Sequence, residues 1–446
     1  MTATANEQAR TVREHPQRVA LANEVHARPF LSLAAPERAS HLAMTSGESG
    51  AAADRAHLTA LCERYGIGHP PPGANHFVAE LDGFRVKWER HTEFCTWTFL
   101  KAGTFGAPFA QNAIDLAPAE WVAAIPGERI VAVHVALLAR ERAAPDTDEL
   151  GNWLHADYLV GSTMAGGNAV AWTDFRLHAD GFGRLVVHDR GLGNRQCGRL
   201  IQRLLEIETY RTMAMLALPV AREIGPQITV VDGDLLGIMD AMPRSAGVAE
   251  QRTLLDRLTE LSALIERATA ASAYRFGAAR AYAELVSKRV GELREDRIEG
   301  LQTYREFMDR RFAPALRTCE ATADRLAQMS QRLTRAGALL RTRVDIAVEA
   351  QNQDLLGSMD RRAQLQLRLQ ETVEGLSVAA ITYYTVGLVA YATRAAEAAG
   401  FRFDKDIATG LAIPVVAVLV WYGLRRFRRS LERAAARGDA GGRPRI

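Results

Sequence analysis

Residues 376–393 read LSVAAITYYTVGLVAYAT, and residues 407–424 read IATGLAIPVVAVLVWYGL. Each stretch is eighteen residues long and carries no formal charge. A helix that crosses about 30 Å of hydrocarbon needs roughly twenty apolar residues, with a range of about 17–25. Two adjoining runs of this length, punctuated by charges, predict a pair of transmembrane helices; the alternative is a pair of buried soluble helices. The connection 394–406 is short and balanced, with Arg394, Arg402 and Lys405 against Glu397, Asp404 and Asp406. Beyond Leu424 the tail holds eight arginines against Glu432 and Asp439. The positive-inside rule places such a tail in the cytoplasm, and two spans return the chain to its starting side. Both termini are therefore expected there, with the lipid bilayer as the first partner. Residues 1–18 are polar and lack the apolar core of a signal peptide.

The rest of the chain divides by composition. The protein has 446 residues, 48% hydrophobic and 24% charged, with a formal net charge of +3. Near-neutral charge argues against a nucleic-acid partner. Four dispersed cysteines, without a Cys-x-x-Cys pair, argue against a zinc ribbon or a disulfide scaffold. All eleven histidines fall between His15 and His188, whereas the C-terminal half is rich in Ala, Leu, Arg, Glu and Gln. This shift separates a mixed globular part from long helices. The expected divisions are an N-terminal helical and loop segment (1–75), an α+β domain (76–220), a linker (221–248), a helical stalk (249–375), the two spans around an outer loop (394–406), and a basic tail (425–446). The fold class is thus an α+β cytoplasmic head, a long α-helical stalk or coiled-coil-like bundle, and two C-terminal transmembrane helices.

Within the stalk, Leu254, Leu258, Leu261 and Ile265 follow the 4-3-4 spacing of a helix seam. Pro314 is read as a break or kink. No proline follows before the first span, and Leu326, Met329, Leu333, Leu340, Val344, Leu355 and Met359 mark an apolar stripe. That stripe must pack against the preceding helices or against other subunits. The second option, with the small residues of the spans, points to a homo-oligomer through the stalk. In a ring of copies, Thr382 and Thr385 are the candidate pore-lining groups.

In the head, alternation marks strands: Phe84, Val86 and Trp88 between Arg85 and Lys87, and Cys95, Trp97 and Phe99 between Thr96 and Thr98. Further strands are expected over 129–138, 157–164, 169–178 and 184–188, and Gly191-Leu192-Gly193-Asn194-Arg195 leads into a helix through about Leu218. Two polar groupings stand out. A short helix over 16–28 carries Asn23, Glu24, His26 and Arg28, read either as an acid/base or ligand pair of Glu24 with His26 or as polar groups that tie down a docked terminal helix. On the last part of the strand 169–178, Asp174, Arg176 and His178 share one face with Trp172; they form either a polar binding face or a solvated sheet face. The chain has no Walker A loop, His-Glu-x-x-His, Gly-x-Ser-x-Gly or EF-hand loop. Catalytic residues, cofactors and metal ligands are therefore not expected, and the head reads as a sensing, scaffolding or interaction module without enzymatic activity and with its protein partner unspecified.

The opening HPQRVALANEVHARPF, the segment LIQRLLEIETYR (200–211) and the run ETVEGLSVAAITYYTVGLVAY (371–391) resemble a bacterial family of uncharacterised membrane-anchored proteins, domain of unknown function 3422. The resemblance covers nearly the whole chain and implies a bacterial inner-membrane location, but supplies no functional residues. A second, architectural resemblance is to the CorA magnesium-channel superfamily, which implies an oligomeric cation channel. The Gly-Met-Asn motif of that superfamily is absent; the outer end of the first span reads Tyr391-Ala392-Thr393-Arg394.

Overall fold

The computed structural model describes residues 14–25, 29–47, 50–245, 247–400 and 405–439. In chain order they form helix α1 (Arg18–Val25), strand β1 (Glu37–Thr45), helix α2 (Ala51–Arg64), strands β2 (His76–Leu81), β3 (Phe84–Arg90) and β4 (Cys95–Ala102), and helix α3 (Ala119–Ala123). Strand β5 (Glu128–Leu138), helix α4 (Thr147–Trp153) and strands β6 (Val160–Met164), β7 (Ala169–Thr173) and β8 (Gly183–Asp189) follow. The helical part comprises α5 (Asn194–Met215), α6 (Ala217–Ala241), α7 (Val248–Glu292), the short strand β9 (Asp296–Arg297), α8 (Tyr304–Phe307), α9 (Ala313–Ala398) and α10 (Lys405–Asp439). The protein is thus a mixed α/β chain with an N-terminal sheet and long C-terminal helices. It divides into two compact units, Met1–Ser245 with Thr253–Ala338, and Ala246–Arg252 with Leu339–Ile446.

The first unit is built on a nine-stranded sheet of order β2-β3-β4-β1-β5-β8-β7-β6-β9. Every pairing is antiparallel except β5 with β8. Strand β1 lies inside the sheet between β4 and β5, so the expected helical and loop segment 1–75 contributes an interior strand instead. Its sequence, ERASHLAMT, has only one β-branched residue, and its strand state comes from its two neighbours rather than from propensity. Alternation sends Trp88, Trp97 and Phe99 to one face, where they pack with Leu58 and Leu61 of α2 and Trp121 of α3. The opposite face receives α5, whose Leu200, Ile201, Leu204 and Leu205 join Val133, Val135 and Val187 of the sheet.

Helix α6 runs through most of the expected linker 221–248, ending at Ala241. Gly225, Pro226, Gly233 and Gly237 give it the composition of a linker, yet Ile224, Ile228, Val231, Leu235 and Ile238 are buried at helical spacing. Burial of that stripe outweighs the weak propensity. The seam Leu258, Leu261 and Ile265 of α7 packs in the same core with Leu326, Met329 and Leu333 of α9. Polar contacts link the three helices: Arg257 with Asp234 at 2.8 Å, and Ser330 with Glu266 at 2.6 Å. Pro314 does not end the helix, which runs from Tyr304 to Ala398; a π-helical turn (Met308–Phe312) directly precedes the proline, an irregularity that lets the helix pass a residue without an N–H.

The second unit contains the remainder of α9, α10 and the first turns of α7. The apolar stripe changes character after Leu340: that residue is fully buried, whereas Leu355 and Met359 are more than half exposed. Two helices here are long and apolar enough to cross a membrane, one within α9 and one over Gly410–Phe427, and neither has a buried residue in its most apolar window. Leu376, Tyr383 and Leu388 present about 70% of their surface. Contiguous exposure on this scale is unfavourable in water and matches a lipid-facing surface.

Candidate functional site

The polar grouping at Asn23, Glu24, His26 and Arg28 lies outside the described residues, apart from the backbone of Asn23 and Glu24 in α1. The second grouping is resolved, and it differs from expectation. Strand β7 ends at Thr173, not at residue 178, so Asp174, Arg176 and His178 do not share a strand face. The chain turns at Phe175, which has φ +54°, and this turn folds the next residues back. Asp174 is buried; its Oδ1 accepts the Arg176 amide at 3.0 Å and its Oδ2 accepts His178 Nε2 at 2.9 Å. A third residue, His155, comes from the loop after α4. Its amide and its Nδ1 reach the same Oδ2 at 2.9 and 2.8 Å. Arg176 is turned away, its guanidinium 3.9 Å from the centre of the Tyr158 ring.

The electrostatics of this cluster follow from its contacts. Burial pushes the Asp174 carboxyl up, but the amides of His155 and Arg176, the His155 ring and the His178 charge outweigh it and hold the group below the usual aspartate range. Burial pushes His178 down, and Arg184 adds to the effect while Asp174 opposes it.

A second site was hidden in the alternation of β3 and β4. Lys87 and Thr98 are cross-strand partners, and Thr98 is in turn paired with His41 of β1. Glu89 and Thr96 form the next row. This polar row resembles a solvated sheet face, because alternation says that one face is polar and not what covers it. In the structure α5 covers it. Gly198, Gln202, Glu206 and Thr209 face the strands across a cavity of about 260 Å³. Lys87 and Glu89 pair at 2.9 Å and are about one-tenth exposed. Gln202 accepts from Lys87 at 3.4 Å and donates to Glu206 at 2.8 Å. Arg289 of α7 closes the rim, paired with Glu206 and, at 3.0 Å, with Glu292. His41 is held between Thr98 at 2.8 Å and Thr209 at 3.2 Å, and burial with the nearby Lys87 charge depresses its pKa to about 3. The Thr96 hydroxyl is buried with no partner among the described residues.

This cavity offers both signs of charge and several hydroxyls but no evident nucleophile. The four thiols are buried; burial pushes Cys95 up to about 12 and Cys197 to about 11, and raises Cys62 and Cys319 as well. Arg203 and Glu206 of α5 reach α7, at Glu292 and Arg289 respectively. In the second unit, Thr385 donates its hydroxyl to the Ile381 carbonyl at 2.7 Å, whereas the Thr382 hydroxyl has no partner among the described residues.

No curated protein and no solved structure matches the chain, and the likeness to CorA finds no support among these comparisons. A family model described as a protein of unknown function, DUF3422, matches residues 13–431, and the chain belongs to that family.

Proposed function

We propose that the protein is a membrane-anchored sensing module whose first unit binds a small polar molecule in the cavity beneath α5. The observation that carries this reading is the enclosure of Lys87, Glu89, His41 and Thr96 under a helix. Lys87 pairs with Glu89 and His41 with two threonines, but the Thr96 hydroxyl has no partner among the described residues, and burying such a group costs free energy that a bound polar molecule would offset. A pocket of this size with opposed charges suits a compound that carries both an anionic and a cationic or donor group, such as an amino acid or a small hydroxy acid. Arg289 joins the rim to α7, and α7 packs on α9, whose chain runs on into the first apolar span. Ligand contacts at the rim can thus bias the helices that lead to the membrane.

The anchor in this proposal is a two-pass one in the bacterial inner membrane, with the arginine-rich tail and the first unit on the cytoplasmic side. Binding rather than catalysis is the activity assigned, since the cavity brings together no nucleophile, base and orienter. The test is direct. The full chain is purified in mild detergent, denatured, and the released small molecules are identified by mass spectrometry; a panel of amino acids and small carboxylates is screened in parallel for thermal stabilisation. A retained compound, or a stabilising one, that is lost on Lys87→Gln and on Thr98→Val supports the reading. Absence of any retained compound together with a flat panel removes it.

A further inference from the structure

We propose that His155, Asp174 and His178 form a binding site for a divalent first-row transition metal, with zinc as the reference ion. The ligating atoms of the three residues lie within 4.8 Å of one another. Oδ2 of Asp174 is the shared partner of three nitrogens, the His155 amide at 2.9 Å, His155 Nδ1 at 2.8 Å and His178 Nε2 at 2.9 Å, and when both rings present N–H to it, it faces three donors at once. A carboxylate oxygen offers two lone pairs, so one donor is in excess. A cation between the two rings and the carboxylate removes that excess. Oδ2 then keeps the His155 amide and the metal, and each imidazole turns a bare nitrogen inward. A neutral imidazole carries one proton, which moves to its other ring nitrogen, so no proton needs to be released.

The surroundings fit an ion of this class. Two imidazoles and one carboxylate are the donor set of zinc and its neighbours, whereas calcium and magnesium prefer oxygen alone. Metal–ligand bonds of about 2.0–2.2 Å place donor atoms roughly 3.3–3.6 Å apart, so the two nitrogen–Oδ2 distances must open by roughly half an ångström while the two ring nitrogens, within 4.8 Å of each other, settle at the same spacing. His155 is nearly half exposed and has room to move, and its exposure leaves the other coordination positions to solvent. The Arg176 amide fixes Oδ1 at 3.0 Å and so orients the carboxylate, as outer-shell partners of metal ligands do. The Arg184 guanidinium acts on His178 and opposes a cation, but it is engaged by the Trp153 carbonyl at 2.9 Å and lies 3.8 Å from Asp180.

The site shares no residue with the cavity beneath α5, and the two proposals stand or fall separately. The test uses the untagged full chain in detergent, stripped with a chelator and titrated with Zn²⁺ and with Co²⁺. One equivalent of metal per chain is expected, with visible Co²⁺ absorption bands characteristic of nitrogen and oxygen ligation. His178→Ala is expected to weaken binding by at least about 100-fold and His155→Ala by about 10–100-fold. Because His155 lies at the surface, its variant should melt like the wild type without metal, which separates lost ligation from lost folding. Replacement of the exposed His69 should change nothing. No stoichiometric binding by the wild type, or binding by His155→Ala as tight as the wild type, overturns the proposal.

Discussion

Gly198 of α5 lies directly against the Leu31 carbonyl: a Cβ placed on Gly198 would stand 1.6 Å from that oxygen. The obstacle is backbone, not a flexible side chain, so it cannot swing aside. The Leu33 amide also donates to the Asn194 carbonyl at 3.1 Å, which seats the segment before β1 on the first turn of α5. Gly198→Ala is expected to cost about 3 kcal/mol, the upper end of overpacking penalties. The check is a lower unfolding temperature together with new protease cleavage near residues 29–36.

The first unit should lose stability as pH falls from neutral. His41 has its pKa depressed to about 3 and His134 to about 4, chiefly by burial, from an ordinary value of 6.5. Between those values the unfolded chain binds protons that the folded protein does not, so stability is full above pH 6.5 and declines as pH drops toward 3–4. Each group accounts for about 2 kcal/mol between pH 6.5 and pH 5. Thermal melts across that range should flatten in His41→Gln; an unchanged slope would remove His41 from the account.

Asp54 is fully buried and pairs with Arg90 at 2.9 Å. Arg90 also donates to Ser46 and to the Gly47 carbonyl. Asp54→Ala leaves the guanidinium buried without its counter-ion, and breaking a buried pair this way costs about 3–5 kcal/mol. Asp54→Leu with Arg90→Met should recover most of the loss, since two charges leave together. Denaturant unfolding of the single and double variants checks the order.

Leu388 is two-thirds exposed on the apolar part of α9. If lipid covers that surface, Leu388→Lys should weaken insertion by about 3 kcal/mol. The readout is the fraction of protein resistant to alkaline extraction from membranes. Equal resistance of the variant and the wild type would argue against a span at this position.

Local signals were legible where one physical cause dominated. Trp88, Trp97 and Phe99 alternate because one side of their strands is apolar, and the glycines at 191 and 193 mark the loop that leads into α5. Legibility failed where distant packing decided the outcome. Strand β1 has little strand propensity and is made by β4 and β5; α6 reads as a linker and is made a helix by its buried stripe. The meeting of Asp174 and His178 has a local cause, and the place of His155 beside them a distant one. The first two stand four residues apart and meet through a local turn, whereas His155 is nineteen residues upstream and has no sequence mark tying it to them. The cavity was missed because the polar residues of β3 and β4 reveal nothing of the helix that covers them.

The position of β1 also sets a timetable for synthesis. Its partners are β4, which ends at Ala102, and β5, which ends at Leu138. At a translation rate of roughly 5–20 residues per second, β1 waits on the order of 10 s before both are made. Throughout that interval the segment 37–45, with its apolar Leu42 and Met44, lacks at least one of the two neighbours that make it a strand, in a nascent chain whose apolar runs in α9 and α10 are still to come. The first unit is therefore exposed to misassembly early, before the apolar runs of α9 and α10 are made, and chaperone dependence should appear on chains stalled between β1 and β5.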